Sequence, residues 1–475
     1  MSTVVPLRTI VLKLTYTVLT IVPLLAVHGC AKYSSSTMMN TPNAVAAASS
    51  VAQFRIGDAP ADRVTSFELN IGPMTLIPSS GSPIFVLSTP QKVELSHLSA
   101  TTIPVAIVKV PAGSYTGVSL TASNPEITFI NSLGQMMKIE PALDQTISVN
   151  FNPTLNINAS LVISLDLNLA NALTFDPQGN VTGVNLAASA FTISTQPVGR
   201  DENTQQEDNG RIEDVTGTVT SVKGSSFTMT LGTTGISLTF STDSNTEFKD
   251  GATLSGLTNM MVRVEGLTRA DGTIYAKEVE GAANDGGMLA EGVITSVSGS
   301  PAAQINLLTQ EGDGSGMDDS KIGSALTVDV SNAEYEVGME SIDASGLNVV
   351  PSLPNFPFDA TTLHAGQRVE IDSDSAMGDD SAQVKKVRLE QQGVRGAVSG
   401  LASPTSSGPI TFTLTMPSDS AFAMTSGQTM VQVFWQAGTD LHDLNSVSNG
   451  QTVEVRGLLF FTGNALNMIA RRIEQ

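Results

Sequence analysis

The chain has 475 residues, 45 acidic against 24 basic, and a formal net charge of −21. A field of that sign excludes ordinary nucleic-acid binding, which needs cationic groups to displace counterions, and disfavours lying along an anionic lipid surface. The single cysteine excludes an internal disulfide, so burial and sheet pairing must stabilise the chain; 41% hydrophobic residues suffice for real cores, and the length allows roughly three or four domains.

Residues 1–29 read as an export signal. Arg8 and Lys13 are its only charges, and an apolar run from Leu14 to Val27 follows, interrupted by threonines, Tyr16 and Pro23. That run is too short and too broken to span a membrane comfortably. Its removal leaves 22 basic residues against 45 acidic ones, a net charge of −23. The run closes on Leu24-Leu25-Ala26-Val27-His28-Gly29-Cys30, which resembles the lipobox of bacterial lipoproteins, with His28 where a small residue is usual. The resemblance implies a diacylglycerol on the Cys30 thiol, cleavage before Cys30 and acylation of the new amino group, with fatty acids such as palmitate. Each buried CH₂ of such a chain contributes about 0.8 kcal/mol of membrane affinity. Ala31, in place of Asp, implies transfer to the outer membrane in a Gram-negative cell. Against this stands an ordinary signal peptide with an incidental cysteine. Residues 30–51 are small and polar and read as a flexible tether.

Residues 52–196 carry many short strand patterns. Leu161, Ile163, Leu165, Leu167 and Leu169 alternate with Ser164, Asp166 and Asn168, so one face is apolar. Turn signals such as Gly72-Pro73 and Pro111-Ala112-Gly113 separate the patterns. The spacing predicts a sandwich of two antiparallel sheets. The opening Gly57-Asp58-Ala59-Pro60 and the segment Val110-Pro111-Ala112-Gly113-Ser114-Tyr115 resemble an N-terminal domain-of-unknown-function family of bacterial envelope lipoproteins. The second motif is also similar to the strand-turn of prealbumin-like sandwiches. Residues 197–214 contain almost nothing to bury and read as an acidic linker.

From residue 215 onward the sequence repeats three times, over 215–281, 289–390 and 393–475. Each unit opens on a strand with an early glycine, Gly217, Gly292 or Gly396. Second and third strand patterns follow. A small residue, an acid and an apolar residue come next: Thr246-Glu247-Phe248, Ala333-Glu334-Tyr335 and Thr439-Asp440-Leu441. Fourth and fifth strands close each unit. Five strands in this length suit a small closed barrel, which leaves no exposed sheet edge. The order of strands, with a Gly-Gln-x-Val-Glu-like entry to the fourth, resembles a family of tandem bacterial repeats with an OB-like barrel and no assigned function. Ser373 stands where Gly266 and Gly457 end the fourth strand of the other units, so the turn there should differ. The predicted fold class is therefore all-β: an N-terminal β-sandwich followed by three tandem five-stranded OB-like barrels.

Candidate sites are few. OB barrels often bind single strands through aromatics and a basic groove, but here aromatics are sparse and the charge is negative; core packing accounts for Phe227, Phe240, Phe412, Phe434 and Trp435. Phe434 and Trp435 are neighbours and point to opposite faces, which leaves Trp435 as a candidate sugar or peptide contact against a barrel-end plug. Glu247, Glu334 and Asp440 recur at one place per repeat, as a cation site in each or as solvent-facing turn residues. The insertion Glu311-Gly312-Asp313-Gly314-Ser315-Gly316-Met317-Asp318-Asp319 offers Asp313, Asp318 and Asp319 as oxygen ligands for Ca²⁺, although Met317 breaks the EF-hand spacing and a solvated hairpin is the plainer reading. Asp372-Ser373-Asp374 with Asp379-Asp380 forms a second acidic insertion. The proline-rich stretch 349–358 needs cover for its apolar residues and should cap a barrel mouth or touch a neighbouring chain. His97, His364 and His442 fall in different units without metal-ligand spacing and read as turn or surface residues. No nucleophile elbow, phosphate loop or His-Glu-x-x-His is present. These features point to a lipid-anchored envelope protein, held to the membrane through Cys30 without cofactor or nucleic acid. Its expected role is non-enzymatic: binding, adhesion or scaffolding toward an envelope polysaccharide or protein. The alternatives are a carbohydrate-active or other hydrolase using paired carboxylates and a calcium-dependent surface protein.

Overall fold

The structure, a computed structural model, describes residues 49–59, 61–99, 101–198, 210–282, 287–314, 317, 319–338, 355–373, 382–402, 409–435, 439, 441 and 444–475. The signal, Cys30, almost all of the tether, residues 199–209, Asp318, Asp374, Asp379, Asp380, Asp440 and His442 lie outside them, as does the side chain of Asp319.

The N-terminal sandwich has one sheet ordered Phe191–Pro197, Leu161–Asn168, Ser49–Ala59, Thr102–Pro111. Its second sheet is built on the long antiparallel pair Val64–Pro78 and Gly113–Ile130. Alternation drives both. Phe54, Ile56, Ile163 and Leu165 of the first sheet and Phe67, Leu69, Val118 and Leu120 of the second join one fully buried cluster. The expectation of purely antiparallel sheets fails at one place. Ser49–Ala59 runs parallel to Leu161–Asn168, with Phe54 opposite Ile163 and Ile56 opposite Leu165. Parallel neighbours need a long crossover, and here the crossover contains the second sheet.

The first and third repeats close into five-stranded barrels, whereas the middle one, expected to be a third such barrel, is a seven-stranded sheet that follows the same strand order as an open barrel. In the first, strands Arg211–Lys223, Ser226–Leu231, Ile236–Ser241, Met261–Thr268 and Ile274–Gly281 close through the parallel pair Phe240 and Ile274. The third closes in the same order with Gln391–Ser399, Ile410–Thr415, Met430–Trp435, Thr452–Thr462 and Ala465–Glu474. In the middle barrel the fifth strand is split: Ala382–Gln383 pairs the third strand and Lys386–Leu389 pairs the fourth. Ser373 ends the fourth strand just before this break, and its hydroxyl donates to the Gln383 carbonyl. The first barrel also begins earlier than its repeat boundary. Residues 211–214, read as linker, continue its first strand, because Arg211 pairs with Leu267 and its guanidinium meets Glu265 at 2.6 Å.

The repeats share their backbone contacts. A Cβ on Gly217, Gly292 or Gly396 would stand 2.1, 1.9 or 2.7 Å from the carbonyl oxygen of Thr230, Leu308 or Thr415, so only glycine lets the first two strands approach. Thr220, Thr295 and Ser399 each donate a side-chain hydrogen bond to the second strand, to the carbonyls of Thr228, Asn306 and Thr413. At the fourth-strand entry the amides of Asn259, Gly366 and Gly450 donate to Val219, Ile294 and Val398, each at 2.8 Å, and all three have positive φ.

Aromatics fill the interiors. Phe227 stacks on Phe240 with centroids 5.4 Å apart, and Phe412 meets Trp435 edge-on at 6.4 Å. Neither Phe434 nor Trp435 is exposed: Trp435 packs inward, while Phe434 turns to Phe356 of the proline-rich stretch. Phe356 also meets Phe460, and Phe358 meets Tyr335. Phe356 and Phe358 thus cover the middle repeat where it meets the third, while residues 349–354 of the stretch lie outside the described residues.

Candidate functional site

The short turn Ser96–Leu98, which follows strand Gln91–Glu94, places a buried histidine where three modules meet. The Glu94 carboxylate anchors the turn. It accepts hydrogen bonds from the amides of Phe67 (2.8 Å), Ser96 and His97 (both 3.2 Å) and from the Ser96 hydroxyl at 2.6 Å. His97 Nδ1 lies 2.6 Å from the same carboxylate. Burial pushes the Glu94 carboxyl up, but its bonds to His97, Ser96 and Phe67 outweigh it and hold the group below the ordinary carboxylate range.

On its other side His97 Nε2 faces Glu311 of the middle barrel at 3.4 Å. Glu311 keeps 28% of its side-chain surface, yet it lies deep among protein atoms. Burial, reinforced by Glu291 and Glu94, raises its pKa despite His97 and Arg368. Arg368 bonds Glu291 at 2.9 Å and approaches Glu311 at 4.0 Å. From the third barrel, Arg456 donates to the carbonyls of His97 and Ser99. Barrels one and two are joined the same way. Glu280 lies between Arg263 (3.0 Å) and Arg388 (2.7 Å), and Arg263 also contacts Glu370. Burial raises the Glu280 pKa, but the two guanidinium groups and Lys386 overcome it and pull the carboxyl to about 2.

Two carboxyls near the junction are not paired in this way. Both side-chain oxygens of Asp58 are buried. Burial first, then Glu454, Glu94 and Asp166, raise its pKa well above the usual value, opposed only weakly by the Leu169 amide. Glu454 is pushed to about 8 by burial and by Glu474, against Arg395, Arg456 and Arg472.

A cavity of about 140 Å³ opens beside His97. The sandwich supplies Asp62, Thr65, Ser96 and Ser99; the middle barrel supplies Val293 and Gln310; the third supplies Arg395, Met416 and Phe422. A smaller one of about 80 Å³ lies behind, lined in part by Glu291, Glu311 and Arg456.

The sequence-predicted positions fall elsewhere. Asp313 Oδ2 accepts from the Thr218 hydroxyl of the first barrel at 2.8 Å, and Oδ1 accepts from the Gly314 amide. Among the described residues no group of three or more His, Cys, Asp or Glu is placed to hold a metal ion. Glu247 and Glu334 are exposed on short strands lying parallel to the fifth strand of their barrels. His364 stacks on Phe461 with centroids 3.8 Å apart. The histidines read as turn or surface residues; His97 does stand on a turn, but it is buried there, 7% exposed. The only signal for it was the spacing Glu94-Leu95-Ser96-His97, a pattern too common to single out.

A family model described as Domain of unknown function (DUF5666) matches residues 216–280, within the first barrel. No curated protein matches the chain. Among solved structures, a multidomain protein with nucleic acid binding domains from Streptococcus pneumoniae is 11% identical over 57% of this chain and 75% of that chain, with a TM-score of 0.11. A likeness that slight carries no argument about fold or ligand.

Proposed function

We propose that this chain is an exported envelope protein, anchored by lipid on Cys30 and probing its surroundings as a non-enzymatic binding or scaffold module. The reading starts from the apolar leader ending at Cys30 and from the absence of a recognisable catalytic motif in the sequence. The observation that carries it furthest is the junction. Residues Ala47–Gln475 form one compact unit, in which buried ion pairs tie the first two repeats together and polar contacts of His97 and Arg456 tie the later repeats to the sandwich. Buried pairs of this kind add little net stability but fix one arrangement of the parts, which is what a displayed rigid scaffold requires. Acyl chains at one end and a single stiff body beyond them suit presentation of a surface at a set place in the envelope.

The test is detergent partitioning and mass spectrometry of the native protein beside a Cys30→Ser variant. Acylated native protein in the detergent phase and soluble variant are expected. Unacylated, freely soluble native protein would overturn the reading.

A further inference from the structure

We propose that the uncharged corner of the sandwich beside Ser49 rests on the surface of a lipid bilayer, with the Phe85 ring entering its headgroup layer. The inference rests on the lipid anchor proposed above and names the face of the body that meets the membrane.

The second sheet of the sandwich is divided by charge along its strands. Its acids gather toward one end: Glu68 stands opposite Glu94 and Glu126, and Asp144 opposite Ser123. The middle repeat packs on that end, where the Thr128 hydroxyl donates to the Gly323 carbonyl and Lys138 to the Ile322 carbonyl. The other end is neutral. Phe85, Thr75, Ser119 and Ser148 form one row across four strands there, and Ile77, Gly117 and Asn150 form the next. Ser148 and Asn150 are exposed, and Phe85 is 69% exposed. The connections 78–84, 111–114 and 152–159 close this end without a single charged side chain. They lie together: the Ser79 amide donates to the Ser114 carbonyl at 2.8 Å, and Ile157 stands opposite Gly113. Lys109 and the turn with Asp271 lie on the side of the first sheet, around Val51. The acidic residues 199–209 leave from that sheet's edge strand and are outside the described residues.

Where the tether ends selects lipid as the occupant. Ser49, the first described residue, pairs with Pro111 at this same corner. Residues 31–48 separate it from Cys30, and a flexible segment of that length has a root-mean-square span of about 24 Å. An acyl group on Cys30 thus holds this corner close to the bilayer. Anionic headgroups repel a strongly acidic body, so only an uncharged face can settle on lipid. One phenylalanine would not hold a free protein there. On a short tether the local concentration is high, and the same weak contact fixes the orientation. The rival apolar cluster, Leu133, Met136 and Met137, lies beyond the far end of strand Gly113–Ile130, roughly 55 Å away along the strand.

The test uses the full acylated chain in phosphatidylcholine vesicles. Phe85→Cys and Leu133→Cys, both at exposed positions, each give one site for a nitroxide label, because the thiol of Cys30, the only cysteine, is blocked by lipid. Electron paramagnetic resonance then compares collisions of each label with oxygen, which enters lipid, and with a nickel chelate, which stays in water. The oxygen-to-nickel ratio at position 85 is expected to exceed that at 133 by about five-fold or more. Equal ratios in acylated protein would overturn the proposal and leave the anchor standing, as would the higher ratio at 133. A label at 85 that is immobilised without gaining oxygen contact would point to a protein partner and also overturn it. Wild-type protein that itself takes the label at Cys30 would be unacylated, and the anchor would fall together with this inference.

Discussion

The Nε2 of His97 stands 3.4 Å from Oε1 of Glu311, while its Nδ1 stands 2.6 Å from Glu94. One imidazole thus separates two carboxylates contributed by different modules. Replacing it by leucine leaves both acids buried without their common neighbour. Loss of a buried hydrogen-bond partner costs about 1–3 kcal/mol, so His97→Leu should move the denaturant midpoint down, read by fluorescence of Trp435 and by far-ultraviolet dichroism together. A midpoint within error of wild type would show that the junction does not depend on this residue.

Glu454 sets an alkaline dependence. Its carboxyl titrates near 8 in the folded chain, against about 4.3 when unfolded. Between those values the unfolded chain has released a proton that the folded one retains, so stability falls as pH rises. Glu454→Gln should flatten that decline and raise stability at pH 8 by an amount on the order of 1–3 kcal/mol. Denaturant titrations of both proteins from pH 5 to 8 measure it; parallel curves would refute it. Asp58, raised for the same reason, acts in the same direction.

Glu280 sets the opposite arm. Arg263 and Arg388 hold its carboxyl near 2, below the unfolded value, so its contribution is present above about pH 4.3 and is lost as pH falls toward 2. Glu280→Gln should be less stable at pH 7, by about 3–5 kcal/mol, because Arg263 and Arg388 lose the acid they share. Its stability should also fall less steeply than that of wild type between pH 5 and 3, and a wild-type slope there would contradict the assignment.

Gly292→Ala should strain the middle barrel, since its new methyl would stand 1.9 Å from the Leu308 carbonyl oxygen; overpacking of that kind costs about 1–3 kcal/mol or more. Gly224→Ala is the control: it sits at a turn with φ +61° and nothing within 4 Å, so it should cost only about 1 kcal/mol. Thermal melts of the pair give the difference, and equal shifts would mean the strand approach is softer than the geometry indicates.

The barrels were legible because duplication repeats its constraints. Gly217, Gly292 and Gly396 recur at equal places, and each meets the same steric demand. The sandwich was legible from alternation in strands such as Leu161–Asn168, but not its parallel neighbour, because pairing direction depends on what the intervening chain does. The junction was illegible for a related reason. Glu94, Glu311, Arg368 and Arg456 are ordinary charged residues in an acidic chain, and only folding brings the two acids to one imidazole, Arg456 to its backbone carbonyl and Arg368 to Glu311. Asp313 shows another limit: its acidic, glycine-rich surroundings read as a solvated hairpin, with calcium as the alternative, and nothing local foretold that its carboxylate accepts from a threonine hydroxyl of the preceding barrel.

Arg456 reaches back 359 positions to the carbonyl of His97. A chain emerging amino end first therefore makes this contact long after the strands of the sandwich have been made. Until Arg456 is made, the His97 and Ser99 carbonyls lack the guanidinium that caps them, so the face the sandwich turns to the third barrel is finished late.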